Sequence, residues 1–412
     1  MELSQRAIKI QESPIRKLKP YADEARSRGI KIYNLNIGQP DIETPQEIIE
    51  AYKNYNQKVL SYGPAQGLDL YRKNLVNYYQ RNNIEVNEDE IIVTIGGSEA
   101  IIFALIAVCN PGEEVIIPEP FYTNYNGFAE MAGVKIAPLT THVEDAFELP
   151  DDEKIKALIN PKTKVIILCN PNNPTGAVYT KEDLERIAKI ASAKGGSASG
   201  GKENNLYIIS DEVYREFIYD GLQHFSFLNI RGVEDNVIMV DSVSKRYSAC
   251  GARIGCLISR NKDVIKSVLK FAQARLCPPT IDQLAANAAI NIKNDYFDKL
   301  LEEYNLRRNL VFNELCQIDG ITCKKPAGAF YIMAKLPIEN AEDFVKWLLT
   351  NFSINNETVM LAPAQDFYAT PEVGKNEIRI AYVLNEKDLK KAMHIFKKGL
   401  EEYKKINPSP NL

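Results

Sequence analysis

The sequence predicts an α/β protein: a large lobe on a mostly parallel central sheet flanked by helices, with a smaller lobe beside it. Three observations predict it. Between 91 and 260, short apolar runs rich in Val and Ile alternate with helical stretches, the pattern of strand–helix–strand units. Those runs end in clusters of Gly, Ser, Asp, Asn and Tyr, where such sheets carry their sites. One long amphipathic stretch, Asp295 to Ile318, then reads as a helix joining two lobes. A chain of 412 residues is long enough for both.

Composition narrows the function classes. A net charge of -4 gives no reason to expect nucleic acid. No apolar run approaches the ~18 residues needed to span a bilayer. Met1 to Arg6 has no signal-peptide core, so a cytoplasmic protein is expected. Seven cysteines, none in a CxxC pair, read as reduced residues. His142, His224 and His394 are too scattered for a metal site or a Ser-His-Asp triad.

The elements follow in order. Residues 1–32 are mixed and charged, a helix ending near Gly29. Asn34 to Asp41 is an extended segment running into a turn, and Thr44-Pro45 opens a helix with Pro45 in its first turn. Ser61-Tyr62-Gly63-Pro64 and Gly67 punctuate the approach to a helix around Arg72–Arg81. Ile91 to Ile95 is a strand by its β-branched run. Gly96-Gly97-Ser98 follows, then a helix from Ile101: free amides and a positive helix end there suit an anion. Val115 to Pro118 is a strand leading to Tyr122. Val165 to Leu168 is a buried strand ending at Asn170-Pro171-Asn172-Asn173-Pro174-Thr175-Gly176, where two prolines fix a turn that presents the Asn173 amide. Residues 194–205 read as a flexible loop. Gly196 to Lys202 spells GxxxxGK, yet Glu203 stands where a phosphate loop needs Ser or Thr, and a helical run precedes it. Leu206 to Ser210 is a strand that delivers Asp211 and Tyr214.

The centre of the sequence is Asp241-Ser242-Val243-Ser244-Lys245-Arg246-Tyr247. A strand at 236–240 precedes it and a strand at 254–258 follows. Most lysines are exposed, but this one lies between two buried strands. Ser242, Ser244 and Arg253 make an anion cradle beside it. Desolvation and a nearby cation lower an amine's pKa and free its nucleophilic form. That suits covalent attachment to a phosphorylated aldehyde. Helices at 261–275 and 281–292 come next. Pro326 to Tyr331 and Glu377 to Tyr382 read as strands, the second with Arg379 among apolar residues, and a helix over 386–403 closes the pattern.

These strings resemble, in one consistent order from Gly38 to Arg379, the class I and II aminotransferases, fold type I enzymes that use pyridoxal 5′-phosphate (PLP). The carriers are S-V-S-K with Arg253 eight residues on, NPNNPTG at 170–176, D-E-V-Y at 211–214, the Gly-Gly turn, and G-x-P-D-like and G-A-F-Y-like segments. The resemblance implies a PLP-binding domain over 46–294, and a small domain built from 1–45 and 295–412. It implies that Lys245 carries PLP and shuttles the substrate proton, and that Asp211 pairs with the ring nitrogen. Asn173 and Tyr214 would bond the ring oxygen, and Tyr122 would stack on the ring. Gly97, Ser98, Ser242, Ser244, Arg253 and Tyr62 of the partner subunit would hold the phosphate, which makes a homodimer the expected unit. Arg379 would grip the substrate α-carboxylate near Asn173 and the Gly38 backbone.

The expected reaction moves an amino group between an L-amino acid and a 2-oxo acid in a ping-pong cycle. Aspartate or glutamate is the expected substrate. Some members carry Lys after the Gly-Gly turn where this chain has Ser98, so Arg275, in a segment that resembles the family loop reaching a neighbouring active site, becomes the candidate for a second carboxylate. Alanine or another amino acid, or a C–S lyase or aminocyclopropane-carboxylate synthase reaction, would use the same motifs. A non-catalytic PLP-binding regulator would need a DNA-binding extension for which 1–37 is too short and too weakly basic.

Overall fold

The computed structural model describes residues 2–13, 16–192, 205–292 and 294–408. Apart from Asn205, the loop expected over 194–205 lies outside the described residues. The large lobe is a seven-stranded sheet in the order Ile91–Thr94, Gly255–Ile258, Val237–Ser242, Tyr207–Asp211, Thr163–Cys169, Glu114–Glu119, Lys135–Thr140. Six of these strands run in one direction, five of them paired in parallel. Gly255–Ile258 is antiparallel to both of its neighbours.

The sheet is apolar on both faces because successive residues of a strand point to opposite sides. Ile116, Ile166, Leu168 and Ile208 pack into one apolar cluster with the helices Asp69–Arg81, Lys181–Ala191 and Thr280–Ala288. Val115, Ile117, Ile167 and Ile209 point the other way, against Gly96–Val108, Asn124–Ala132 and Lys262–Arg275. Caps set the helix ends: Thr180 and Asp183 close a reciprocal box at the start of Lys181–Ala191, and Asn261 caps Lys262–Arg275.

The smaller assembly joins both ends of the sequence. Lys31–Asn34 pairs in parallel with Glu357–Met360. Beside it, Ala362–Pro363, Glu377–Ala381, Tyr331–Lys335 and Thr322–Cys323 form an antiparallel sheet. Helices Lys19–Ser27, Asn294–Cys316, Ala341–Thr350 and Glu386–Ile406 pack around these strands in a third apolar cluster.

Local boundaries shift in instructive ways. The helix after Thr44 begins at Gln46, so Pro45 occupies the cap position rather than the first turn. The helix near the Gly-Gly turn begins at Gly96, five residues earlier than its apolar run suggests. The strand expected over 326–331 begins only at Tyr331, and the residues before it form the turn that delivers that tyrosine. Among the described residues no helix is long and apolar enough to cross a membrane.

Candidate active site

The C-terminal ends of the strands Thr163–Cys169, Tyr207–Asp211 and Val237–Ser242 converge on one cavity of about 390 Å³. The large lobe contributes Gly97, Ser98, Tyr122, Asn173, Asp211, Tyr214, Ser242, Ser244, Lys245 and Arg253 to its wall. The smaller assembly contributes Gly38, Tyr331 and Arg379. Open α/β sheets present ligands at this end because the loops after successive strands gather there.

Lys245 sits on a single helical turn, Val243–Arg246, directly after its strand. Its Nζ donates to the Gly38 carbonyl at 2.7 Å and lies 3.9 Å from Cys250 Sγ. The residue keeps some surface toward the cavity, yet its amine is enclosed. Burial is the main cause that lowers its pKa, and the charges of Arg379 and Arg253 act the same way. Gly38 has to be glycine: a Cβ there would lie 1.8 Å from the Tyr331 hydroxyl.

Asp211 is 3% exposed. Its Oδ2 accepts from the Tyr125 hydroxyl at 2.7 Å, and its Oδ1 from the Val213 N–H at 3.4 Å. No cation pairs with it among the described residues. Burial pushes the carboxyl up to about 6, against the opposing pull of Tyr125.

Arg379 has the complementary problem. It is 1% exposed and forms no ion pair among the described residues. Nη1 donates to Asn173 Oδ1 at 2.9 Å and Nη2 to the Asn36 carbonyl at 2.6 Å, while Nε has no hydrogen-bond partner there. The rings of Tyr331 and Phe367 flank it at 4.4 and 5.0 Å. A buried guanidinium with neutral partners and one orphaned N–H can pair with a carboxylate. The other face of Asn173 donates to the Tyr214 hydroxyl at 3.3 Å, which lies 2.8 Å from that of Tyr331.

An anion cradle closes the wall. The Ser242 and Ser244 hydroxyls lie 2.8 Å apart. Gly97 and Ser98 line the cavity from the first turn of Gly96–Val108, where the amides have no partner within the helix. Arg253 adopts a left-handed backbone, φ 53°, and lays its guanidinium over Gly96, where a Cβ would sit 2.4 Å from Nη2.

Two expected residues stand apart. Tyr62 is 83% exposed and does not line the cavity of its own chain. Arg275 does not line it either. Its Nη2 donates to the carbonyls of Ala65 and Val93 at 3.1 and 3.3 Å, and Nη1 lies 3.6 Å from Glu99. That guanidinium ties the loop at 65 to the sheet edge and stands outside its own chain's cavity. Other lining residues escaped the sequence reading: Arg16, Cys250 and, behind Asp211, Tyr125. Tyr125 follows Tyr122 by three residues at a helix start, which was the available signal.

Comparison with known proteins agrees with this geometry. A family model described as aminotransferase class I and II matches residues 30–396. An aromatic-amino-acid aminotransferase 2 of Thermococcus litoralis is 33% identical over 414 residues, covering 98% of this chain and 100% of the relative. An aspartate aminotransferase of Pyrococcus abyssi is 33% identical over 413 residues, with coverage of 98% and 100%. A solved alanine aminotransferase from Pyrococcus furiosus superposes with a TM-score of 0.86 at 33% identity, covering 97% of this chain and 100% of that one. Fold, cavity and full-length similarity lead to one conclusion: the chain belongs to the class I and II aminotransferases.

Proposed function

We propose that this aminotransferase attaches PLP at Lys245 and moves an amino group between aspartate or glutamate and 2-oxoglutarate. Its family uses PLP, and amino acids and 2-oxo acids are the substrates the family implies. One observation carries the assignment. A single cavity holds an enclosed lysine amine, a buried carboxylate without a cation and a buried guanidinium without an anion.

The residues fit the cofactor. The Gly96–Ser98 turn, Ser242, Ser244 and Arg253 would hold a phosphate, and Tyr122 offers a ring face. When bound, PLP supplies an electrophilic aldehyde and a ring that accepts electrons from the substrate Cα. Asp211 would hold a proton on the ring nitrogen, and Asn173 and Tyr214 would donate to the ring oxygen. The Lys245 amine would take the substrate Cα proton as general base. Arg379 would fix the α-carboxylate through two parallel bonds and so orient that proton.

Incubating the PLP-loaded protein with one amino acid tests this. Conversion to pyridoxamine phosphate, with one 2-oxo acid per site, is expected. Ammonia or thiol release with the cofactor left as PLP contradicts it and favours a lyase. A monocarboxylic substrate such as alanine is the second reading, drawn from the Pyrococcus furiosus similarity.

The active unit in this reading is a homodimer, since exposed Val59, Leu60 and Tyr62 form an apolar edge beside the cavity-lining lobe. A fully active particle of 46.4 kDa in sedimentation contradicts it. A cytoplasmic location fits seven free cysteines, and fractionation of the source cells tests it. The division into 1–45 with 295–412 and 46–294 is supported by the sheets: the strands of the seven-stranded sheet lie within 46–294 and those of the smaller sheets lie outside it. Hydrogen exchange should protect Lys31–Asn34 and Glu357–Met360 together; exchange of one strand without the other contradicts it.

A further inference from the structure

We infer that Arg16 selects the substrate by pairing with a second carboxylate, which makes the preferred substrates dicarboxylic. The inference rests on the aminotransferase reading of the cavity. Four cations line that cavity, Arg16, Lys245, Arg253 and Arg379, against one carboxylate, Asp211. Arg253 belongs to the phosphate cradle, Arg379 to the α-carboxylate and Lys245 to the aldehyde. Arg16 is the one lining cation to which that reading gives no partner, and a guanidinium at the wall can pair with a further carboxylate.

The position of Arg16 is built. Its N–H donates to the Ser13 carbonyl at 2.8 Å, and the next N–H, of Lys17, donates to the same oxygen at 3.0 Å. The Lys17 ammonium is clamped between Glu342 and Asp366. Leu18 is 1% exposed in the apolar cluster of the smaller assembly. Two anchors therefore hold the backbone while the Arg16 side chain stays exposed at the cavity wall, without a hydrogen bond or ion pair among the described residues. A planar guanidinium fits a carboxylate in two-pronged fashion, which an ammonium cannot. The other candidates are engaged elsewhere: Arg275 on two carbonyls and Glu99, Lys17 on two carboxylates.

The test uses the PLP-loaded enzyme with Arg16→Ala and Arg16→Lys. Two readouts are taken: kcat/KM for aspartate and for alanine, and calorimetric binding of succinate and of butyrate. Arg16→Ala should lower kcat/KM for aspartate and weaken succinate by ~10–100-fold, with alanine and butyrate changed less than about threefold. Arg16→Lys should fall between. Equal losses for aspartate and alanine overturn the assignment, as does a wild-type enzyme that binds butyrate as tightly as succinate. If no amino acid is turned over, the aminotransferase reading fails by itself, and the succinate arm alone decides Arg16.

Discussion

Two groups of buried charges share the same strand ends and behave in opposite ways. Asp211 and Lys245 face the cavity. Their chain neighbours Glu212 and Arg246 face a closed network with Asp241, Arg215 and Glu216. Asp241 accepts from the Tyr79 hydroxyl at 2.7 Å, from Arg215 at 3.0 Å and from Arg246. Arg215 also donates to Glu212 at 2.9 Å, and Arg246 to Glu216 at 2.8 Å. Burial alone would raise the Asp241 carboxyl, but the two guanidiniums hold it well below the usual carboxylate range. In the cavity the same burial meets no counter-charge, and Asp211 rises to about 6. Partnered charges here hold the backbone still. Those without an ion pair among the described residues, at the ends of the same strands, line the cavity.

The largest effect should come from the cavity. In the proposed function Lys245→Ala removes the amine that would both bind the cofactor and move the proton, so turnover should fall by roughly four orders of magnitude or more. Its fold should persist, because Lys245 has no ion pair to lose among the described residues. Circular dichroism beside a steady-state assay checks both halves.

The network should give the reverse pattern. Asp241→Ala leaves Arg215 and Arg246 buried without that carboxylate and should lower unfolding stability by about 3–5 kcal/mol in a denaturant titration. A loss below about 1 kcal/mol would erase the contrast between the two regions.

Asp211→Asn tests both properties at once. Turnover should drop about 10–150-fold or more, from loss of one charge-assisted bond and of the ring proton it holds. Stability without cofactor should rise. The folded-state pKa of Asp211, about 6, lies above its ordinary 3.8. Its contribution is therefore fully present below 3.8 and lost as pH climbs through 6. At pH 7 the buried carboxylate is a burden, and Asn should remove on the order of 1–3 kcal/mol of it. An Asn variant less stable than wild type at pH 7 contradicts this.

The smallest effect belongs to Tyr125→Phe. Losing that hydroxyl removes the bond that opposes burial, so the Asp211 pKa should move further up and kcat should fall roughly 3–10-fold. Titration of the cofactor-free protein reads the shift, and a downward shift would refute it.

Much of this was legible in the sequence for a physical reason. The sheet strands are buried on both faces, so each is a short β-branched run, and the residues that leave them are polar and conspicuous. Lys245, Asp211, Asn173 and Arg253 announced themselves in that way. Arg379 stood out as a charge inside an apolar strand. Arg16 did not, because nothing local distinguishes it from any exposed arginine, and Tyr125 offered only its spacing of three from Tyr122. Arg275 is held by the carbonyls of Ala65 and Val93, 210 and 182 residues away in the chain, which no local pattern reveals. Strand ends are local information; which cation remains unpaired is a property of the whole fold.

Borohydride reduction of the PLP-loaded protein, followed by peptide mapping, tests the central claim most directly. The account predicts that the reduced cofactor is fixed to the peptide containing Lys245 and that Lys245→Ala abolishes the label. Label on any other lysine of the wild-type protein would contradict it.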